Sequence, residues 1–211
     1  MTKLAWLFLG LAAVAAVSDW VGVGERWKSL EYLAKPLAMV ALVGVALSLH
    51  AEVPGRRPWI VAALLLSLVG DVFLMLPRDA FVLGLASFLL AHVAYIVAFR
   101  VDGGSVGALA VSAVVVAVAA VAAGRKVIAG VRASDPAVTV PVVVYIAVIA
   151  AMVACALATG NILFGVGAIL FMTSDSLIAW NRFVRPLSWA PLAIIVTYHL
   201  AQALLVTGMS A

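Results

Sequence analysis

Eight apolar stretches, each close to the roughly 20 residues a helix needs to cross a bilayer, occupy nearly all of this 211-residue chain. They fall at 4–21, 33–50, 59–76, 80–99, 105–123, 138–158, 162–180 and 189–207. In lipid, a spanning segment must satisfy its own backbone hydrogen bonds, so such runs fold as helices. Pro, Gly and charged clusters interrupt them: Glu25-Arg26-Trp27-Lys28, Pro54 to Pro58, Pro77-Arg78-Asp79, Asp102-Gly103-Gly104, Gly124 through Pro136, Thr159-Gly160-Asn161 and Asn181 to Pro186. The sequence therefore predicts an all-α fold, a polytopic transmembrane helical bundle of about eight spans forming one integral membrane domain over residues 1–211.

Composition agrees, with 67% hydrophobic and 10% charged residues against about half and a quarter in soluble domains. The spans leave no length for a separate soluble domain, so any site lies within the bundle or its short loops. The net charge of +4 comes from basic residues scattered through the connections. No basic helix or aromatic-interleaved patch suggests nucleic acid. Met1-Thr2-Lys3 and the apolar run behind it could open a signal peptide, but Leu4 to Val17 leads into Asp19 and Trp20 without a polar cleavage region, which favours a retained first helix. Cys155 stands alone in an apolar run and reads as a packing residue.

If all eight segments cross, Lys3, Arg56, Arg57 and Arg100 share the amino-terminal side, and the remaining Lys and Arg share the other. The positive-inside rule then places both termini outside the cytoplasm of a multi-pass cell-membrane protein.

Several polar residues lie inside the spans. Asp71 and Asp175 sit in the third and seventh, which run in the same direction and bring both carboxylates to a similar predicted depth. A charged carboxylate at the bilayer centre costs about 2.5–3.5 kcal/mol on insertion scales, which favours facing the bundle and pairing. Each Asp could cap a broken helix or bond to neighbouring hydroxyls; the alternative is contact with substrate or an ion. His92 and Tyr95 are three residues apart and share a helix face, as do His199 and Gln202, while Tyr198 pairs with Gln202 at four. Lys35, beside Pro36 at the start of the second span, either snorkels to the interface or attracts a lipid phosphate. The histidines occur in no metal-binding spacing; only convergence of His92, His199 and both aspartates would offer a metal-water route. Asp71 and Asp175 each precede a basic break and a helix carrying His and Tyr, a faint sign of a four-helix repeat.

In order along the chain, Lys35-Pro36-Leu37, Ser67-Leu68-Val69-Gly70-Asp71, the Phe88 to Tyr95 segment with Ala91-His92, Gly167 to Ser176 with Thr173-Ser174-Asp175, and Thr197 to Gln202 form a pattern. From Lys35 to Gln202 it resembles the YhhN-like lysoplasmalogenase family of integral membrane proteins. The resemblance implies a multispan helical fold and hydrolysis of the vinyl ether bond of lysoplasmalogens to a fatty aldehyde and a glycerophospho-base. The family-like polar positions are Lys35, Asp71, His92, Tyr95, Ser174, Asp175, Tyr198 and Gln202; His199 stands where a second tyrosine is more usual.

That chemistry suits these side chains. A vinyl ether is cleaved by protonating its alkene carbon, adding water to the oxocarbenium-like centre and collapsing the hemiacetal. A protonated and an ionised carboxylate would serve, and a partly dry pocket with mutual repulsion keeps two acids in different states. The expectation is Asp71 and Asp175 as this pair, His92 orienting water or a carboxylate, and Tyr95, Ser174, Tyr198 and Gln202 binding substrate oxygens. Lys35 would attract the phosphate, and no cofactor or metal is required. The expected partners are a single-chain vinyl ether phospholipid and bilayer lipids. A small-solute, proton-coupled or lipid transporter would use the same buried polar residues as a route, and a purely structural role would use them as interhelical bonds.

Overall fold

The structure, a computed structural model, describes residues 1–210. Eight helices follow in order: α1 (Lys3–Gly24), α2 (Lys28–Ser48), α3 (Arg57–Met75), α4 (Phe81–Arg100), α5 (Val106–Ser134), α6 (Thr139–Ala158), α7 (Ile162–Phe183) and α8 (Ala190–Thr207). All eight are long and apolar enough to cross a membrane. Short polar residues start several of them by accepting the first free N–H groups, as Thr2 does from Ala5, Ser105 from Ala108 and Asn161 from Leu163 and Phe164. Gly160, at φ +73°, makes the tight turn between α6 and α7, so these are two separate helices.

Two local features differ from the sequence reading. The cluster Gly124-Arg125-Lys126 does not break the fifth span, because α5 runs 29 residues to Ser134. At 1.5 Å per residue it is about 43 Å long, so its carboxyl end extends beyond the hydrocarbon layer, where basic side chains are tolerated. Lys126 there lies 5.7 Å from the Trp180 ring centre. Pro36 is also not at a helix start: α2 begins at Lys28 and Pro36 sits two turns inside. Membrane helices accept an interior Pro where neighbouring groups satisfy the freed carbonyl.

Except for α4 and α5, helices adjacent in sequence pack on each other, and the pairs are arranged in a repeating pattern. α1 lies on α2 as α5 lies on α6, α2 on α3 as α6 on α7, and α3 on α4 as α7 on α8. The cross-contacts of α2 with α8 and of α6 with α4 correspond in the same way. The internal repeat glimpsed in the sequence thus has a counterpart in helix packing. Its clearest break is at α5: α1 packs on α8, whereas α5 scarcely touches α4 and rests on α7 instead. α5 is accordingly the least buried span, with Val111, Val114, Val115 and Val118 facing outward. The gap beside it becomes a cavity.

The common core is aromatic at its centre. Phe171 of α7 is buried against Phe88, His92 and Tyr95 of α4 and Tyr198 of α8, mostly in edge-to-face contacts. Such pairs contribute about 0.5–1.5 kcal/mol beyond the area they bury. Toward the amino-terminal side, Arg56 is anchored to Asp102 at 2.6 Å and lies over Phe164. On the opposite side Arg182 reaches Asp79 at 2.6 Å and covers Phe81, tying the α3–α4 connection to the end of α7.

Candidate active site

Helical spacing on α4 aligns Phe88, His92, Tyr95 and Phe99 on one buried stripe, and spacing on α7 aligns Phe171 with Asp175. Where these stripes meet α6, three polar groups converge. Tyr145 donates its hydroxyl to Asp175 Oδ2 at 2.5 Å, and His92 Nε2 stands 3.3 Å from the same oxygen. On the other side of the imidazole, His92 Nδ1 is 2.5 Å from the Phe88 carbonyl oxygen. A carbonyl only accepts, so Nδ1 carries a hydrogen. Nε2 is then the open position of the imidazole, turned toward an Oδ2 that already accepts from Tyr145. Nε2 makes no hydrogen bond here, and it faces Asp175 Oδ2 across a gap that one proton would bridge.

Asp71 belongs to a second group. It lies one turn before the end of α3, and its Oδ2 accepts from the Tyr198 hydroxyl at 2.5 Å, with Met39 Sδ at 3.4 Å from the same hydroxyl. Asp175 lies two turns before the end of α7. The structure thus brings each aspartate to its own phenol, and the rings of Phe88 and Phe171 stand between the groups, each in contact with Tyr198. Among the described residues no hydrogen bond or ion pair joins the two carboxyl groups.

The remaining predicted residues divide in the same manner. Tyr95 donates to Gln202 Oε1 at 2.5 Å, a fully buried bond joining α4 to α8. Ser174 donates to the Ile194 carbonyl at 3.0 Å and fastens α7 to α8. Lys35 lies 3.6 Å from Glu31 on α2 and faces the carboxylates of Asp19 and Asp71 electrostatically. His199 accepts from the Trp20 indole at 3.1 Å and is 4.0 Å from Asp19, in a group separate from His92. Among the described residues, no three His, Cys, Asp or Glu side chains gather as a metal site.

A cavity of about 670 Å³ opens between α4, α5, α6 and α7, where the repeat is broken. Its wall is mostly apolar, including Leu85, Phe88, Ile146, Ile149 and Met172, and Tyr145 and Asp175 form its polar point. This size falls in the range of small-molecule sites, about 300–1,000 Å³. Of the predicted site residues, Asp175 alone lines it; Asp71, His92, Tyr95, Tyr198 and Gln202 stand behind the wall. Sequence reasoning missed Tyr145 and Arg185, which is also on the cavity wall. Tyr145 had a readable signal, being the only ring hydroxyl in a Val- and Ala-rich span. Arg185 had none beyond its charge.

Fold and site together define a polytopic helical membrane protein in which a carboxyl group, an imidazole and a phenol meet at the wall of an apolar cavity. Residues 30–209 match the sequence model of the YhhN family, and the chain belongs to that family. It is 36% identical over 179 residues to the "Lysoplasmalogenase" of Mycobacterium bovis, covering 81% of this chain and 67% of that protein. To "Lysoplasmalogenase TMEM86B" of Homo sapiens it is 34% identical over 173 residues, covering 82% and 72%. The TMEM86B of Sus scrofa is 32% identical over 192 residues, covering 91% and 76%. No solved structure matches. All of α1 lies ahead of the matched region, while every side chain of the two carboxylate groups lies within it.

Proposed function

We propose that this protein hydrolyses the vinyl ether bond of lysoplasmalogens, with Asp175 as the group that delivers the proton. The observation that carries this reading is the position of Asp175: it is the one carboxylate on the wall of an apolar cavity, and His92 Nε2 stands 3.3 Å from it, so that in this scheme the two share a proton. Membership in a family whose named relatives are lysoplasmalogenases supports the substrate class.

The steps balance without an outside reagent. The Asp175–His92 proton passes to the alkene carbon remote from the ether oxygen, the double-bond electrons forming the new C–H bond. The adjoining carbon becomes an oxocarbenium centre, facing a carboxylate that has just become negative. Water adds to that centre and returns a proton to the Asp175–His92 pair. The resulting hemiacetal loses its hydroxyl proton as the C–O bond to glycerol breaks and the glycerol oxygen takes up a proton. A fatty aldehyde and a glycerophospho-base leave, and the protein regains its starting state. Tyr145 holds the Asp175 carboxylate in place, and the apolar wall keeps bulk water from the cation.

Asp71 is the second carboxyl group of this scheme, set outside the cavity wall and bonded to the Tyr198 hydroxyl. The bonds of Tyr95 to Gln202 and of Ser174 to Ile194 keep α4, α7 and α8 in register. The Lys- and Arg-rich face, which includes Arg182 and Arg185, is assigned to the cytoplasm by the charge rule, leaving both termini outside it.

The test is incubation of purified protein with single-chain vinyl ether phospholipids in D2O, trapping the aldehyde by reduction as it forms. Aldehyde carrying one deuterium on the carbon next to the carbonyl is expected. Folded protein giving no aldehyde from any such lipid refutes the hydrolase, and lipid or solute movement across vesicles without product favours a transporter.

A further inference from the structure

We propose that Arg185 is the anion-binding group of the cavity, holding the phosphate of a single-chain lipid whose hydrocarbon tail leaves sideways between α4 and α5. The inference rests on the cavity being a lipid site, and it moves phosphate recognition away from Lys35.

Four observations converge on this rim. The cavity wall contains two charged side chains, Asp175 within and Arg185 at the α7–α8 connection. The Arg185 guanidinium takes no hydrogen bond, ion pair or ring contact among the described residues, whereas Arg182 is committed to Asp79 and Lys35 to Glu31. Arg185 is solvent-exposed at the same end of the bundle as Lys126 and Arg182, so an anion there meets a positive surface. Trp180 and Trp189 line the cavity beside it, and Trp is the residue that settles at the headgroup level of a membrane.

Arginine suits this role because its planar fork donates two parallel hydrogen bonds to phosphate oxygens. The geometry along α7 agrees. Asp175 lies eight residues before Phe183, about 12 Å along the helix axis at 1.5 Å per residue. The glycerol unit of a lysophospholipid and the extended Arg185 side chain together bridge such a separation. With the phosphate at the rim, the ether oxygen reaches Asp175. The chain beyond it continues toward the place where α4 and α5 scarcely touch and into the surrounding lipid. The tail therefore need not fit inside the protein, and one cavity accepts chains of different length. Lys35 lies outside the cavity wall, on α2 among Glu31, Asp19 and Asp71.

The experiment compares Arg185→Gln and Arg185→Lys with the parent protein on two substrates that share one alkenyl chain, a phosphorylated lysoplasmalogen and the neutral 1-alkenylglycerol. For Arg185→Gln we expect KM for the phosphorylated lipid to rise about tenfold, the equivalent of one charge-assisted contact. We expect kcat and all constants for the neutral lipid to stay within twofold, and Arg185→Lys to recover part of the loss. Equal losses on both substrates, or no loss on either, overturn the assignment. A parallel binding measurement uses the saturated-ether lysophospholipid and the matching alkylglycerol, neither of which is a vinyl ether. Weaker binding of the phospholipid alone by Arg185→Gln supports the site even if the parent protein releases no aldehyde, so the two readings fail separately. Displacement of the phospholipid by millimolar inorganic phosphate would mark a free-phosphate site and overturn the lipid-headgroup assignment.

Discussion

Replacing Asp175 by Asn removes the acid that the proposed mechanism needs while leaving nearly everything else in place. The side chain keeps its volume, and an amide oxygen at the Oδ2 position still accepts the Tyr145 hydroxyl that now bonds there at 2.5 Å. The same oxygen then opposes His92 Nε2 at about the present 3.3 Å with no acidic proton to place between them. A positioned general acid contributes roughly 10²- to 10⁴-fold to rate. At 1.36 kcal/mol per factor of ten, that is about 2.7–5.5 kcal/mol of barrier. The expected result is a kcat for aldehyde release down by two to four orders of magnitude, with KM little changed because the apolar wall is intact. Asp71→Asn changes a carboxyl group that does not line the cavity and keeps the acceptor for Tyr198, so its kcat should fall less, by roughly ten- to a hundredfold on the scale of one to two tenfold steps. The assay is steady-state aldehyde release by protein shown to be folded through its thermal transition in detergent. Asp175→Asn retaining turnover within tenfold of the parent, or Asp71→Asn losing more than Asp175→Asn, refutes this division of roles.

Tyr95→Phe leaves the Gln202 Oε1 buried without its donor and should cost about 1–3 kcal/mol, read as a lowered thermal midpoint. Adding Gln202→Leu should restore part of that loss; a double variant as unstable as the sum of both singles would mean that the pair is not coupled. At Gly130 an added Cβ would lie 2.1 Å from the Phe183 carbonyl oxygen, a backbone atom that cannot swing aside. Gly130→Ala should therefore push α5 off the end of α7, lower the thermal midpoint and change KM through the cavity wall at Val127 and Phe183; unchanged values of both would refute the close approach. The Arg182 hydrogen bond, aided by the Phe81 N–H, holds the Asp79 carboxyl below its usual range. A depressed carboxylate adds stability above its unfolded value near pH 4 and loses it as pH falls through the lowered folded value. The parent protein and Asp79→Asn should accordingly differ in thermal midpoint at pH 7 and converge below about pH 4; a difference that grows toward acid pH would contradict this sign.

Hydropathy and length by themselves determined eight helices, because a run that satisfies its backbone in lipid has almost no other choice. Spacing also determined which polar residues share a face, as with His92 and Tyr95, and the two Asp-bearing helices hinted at the repeat seen in the packing. What spacing leaves open is how each helix is rotated and which others it meets. Between apolar helices in lipid that choice rests on close packing and a few polar contacts, spread over residues far apart in the chain. Packing alone decided that Asp175 faces Tyr145 and His92, that Asp71 faces Tyr198, and that two Phe rings lie between them. It likewise decided that Ser174 bonds the Ile194 backbone carbonyl. The cavity arises because α5 stands away from α4 while its repeat counterpart α1 closes on α8. Both α1 and α5 are apolar runs of suitable length, and their different lodging is a property of the assembled bundle.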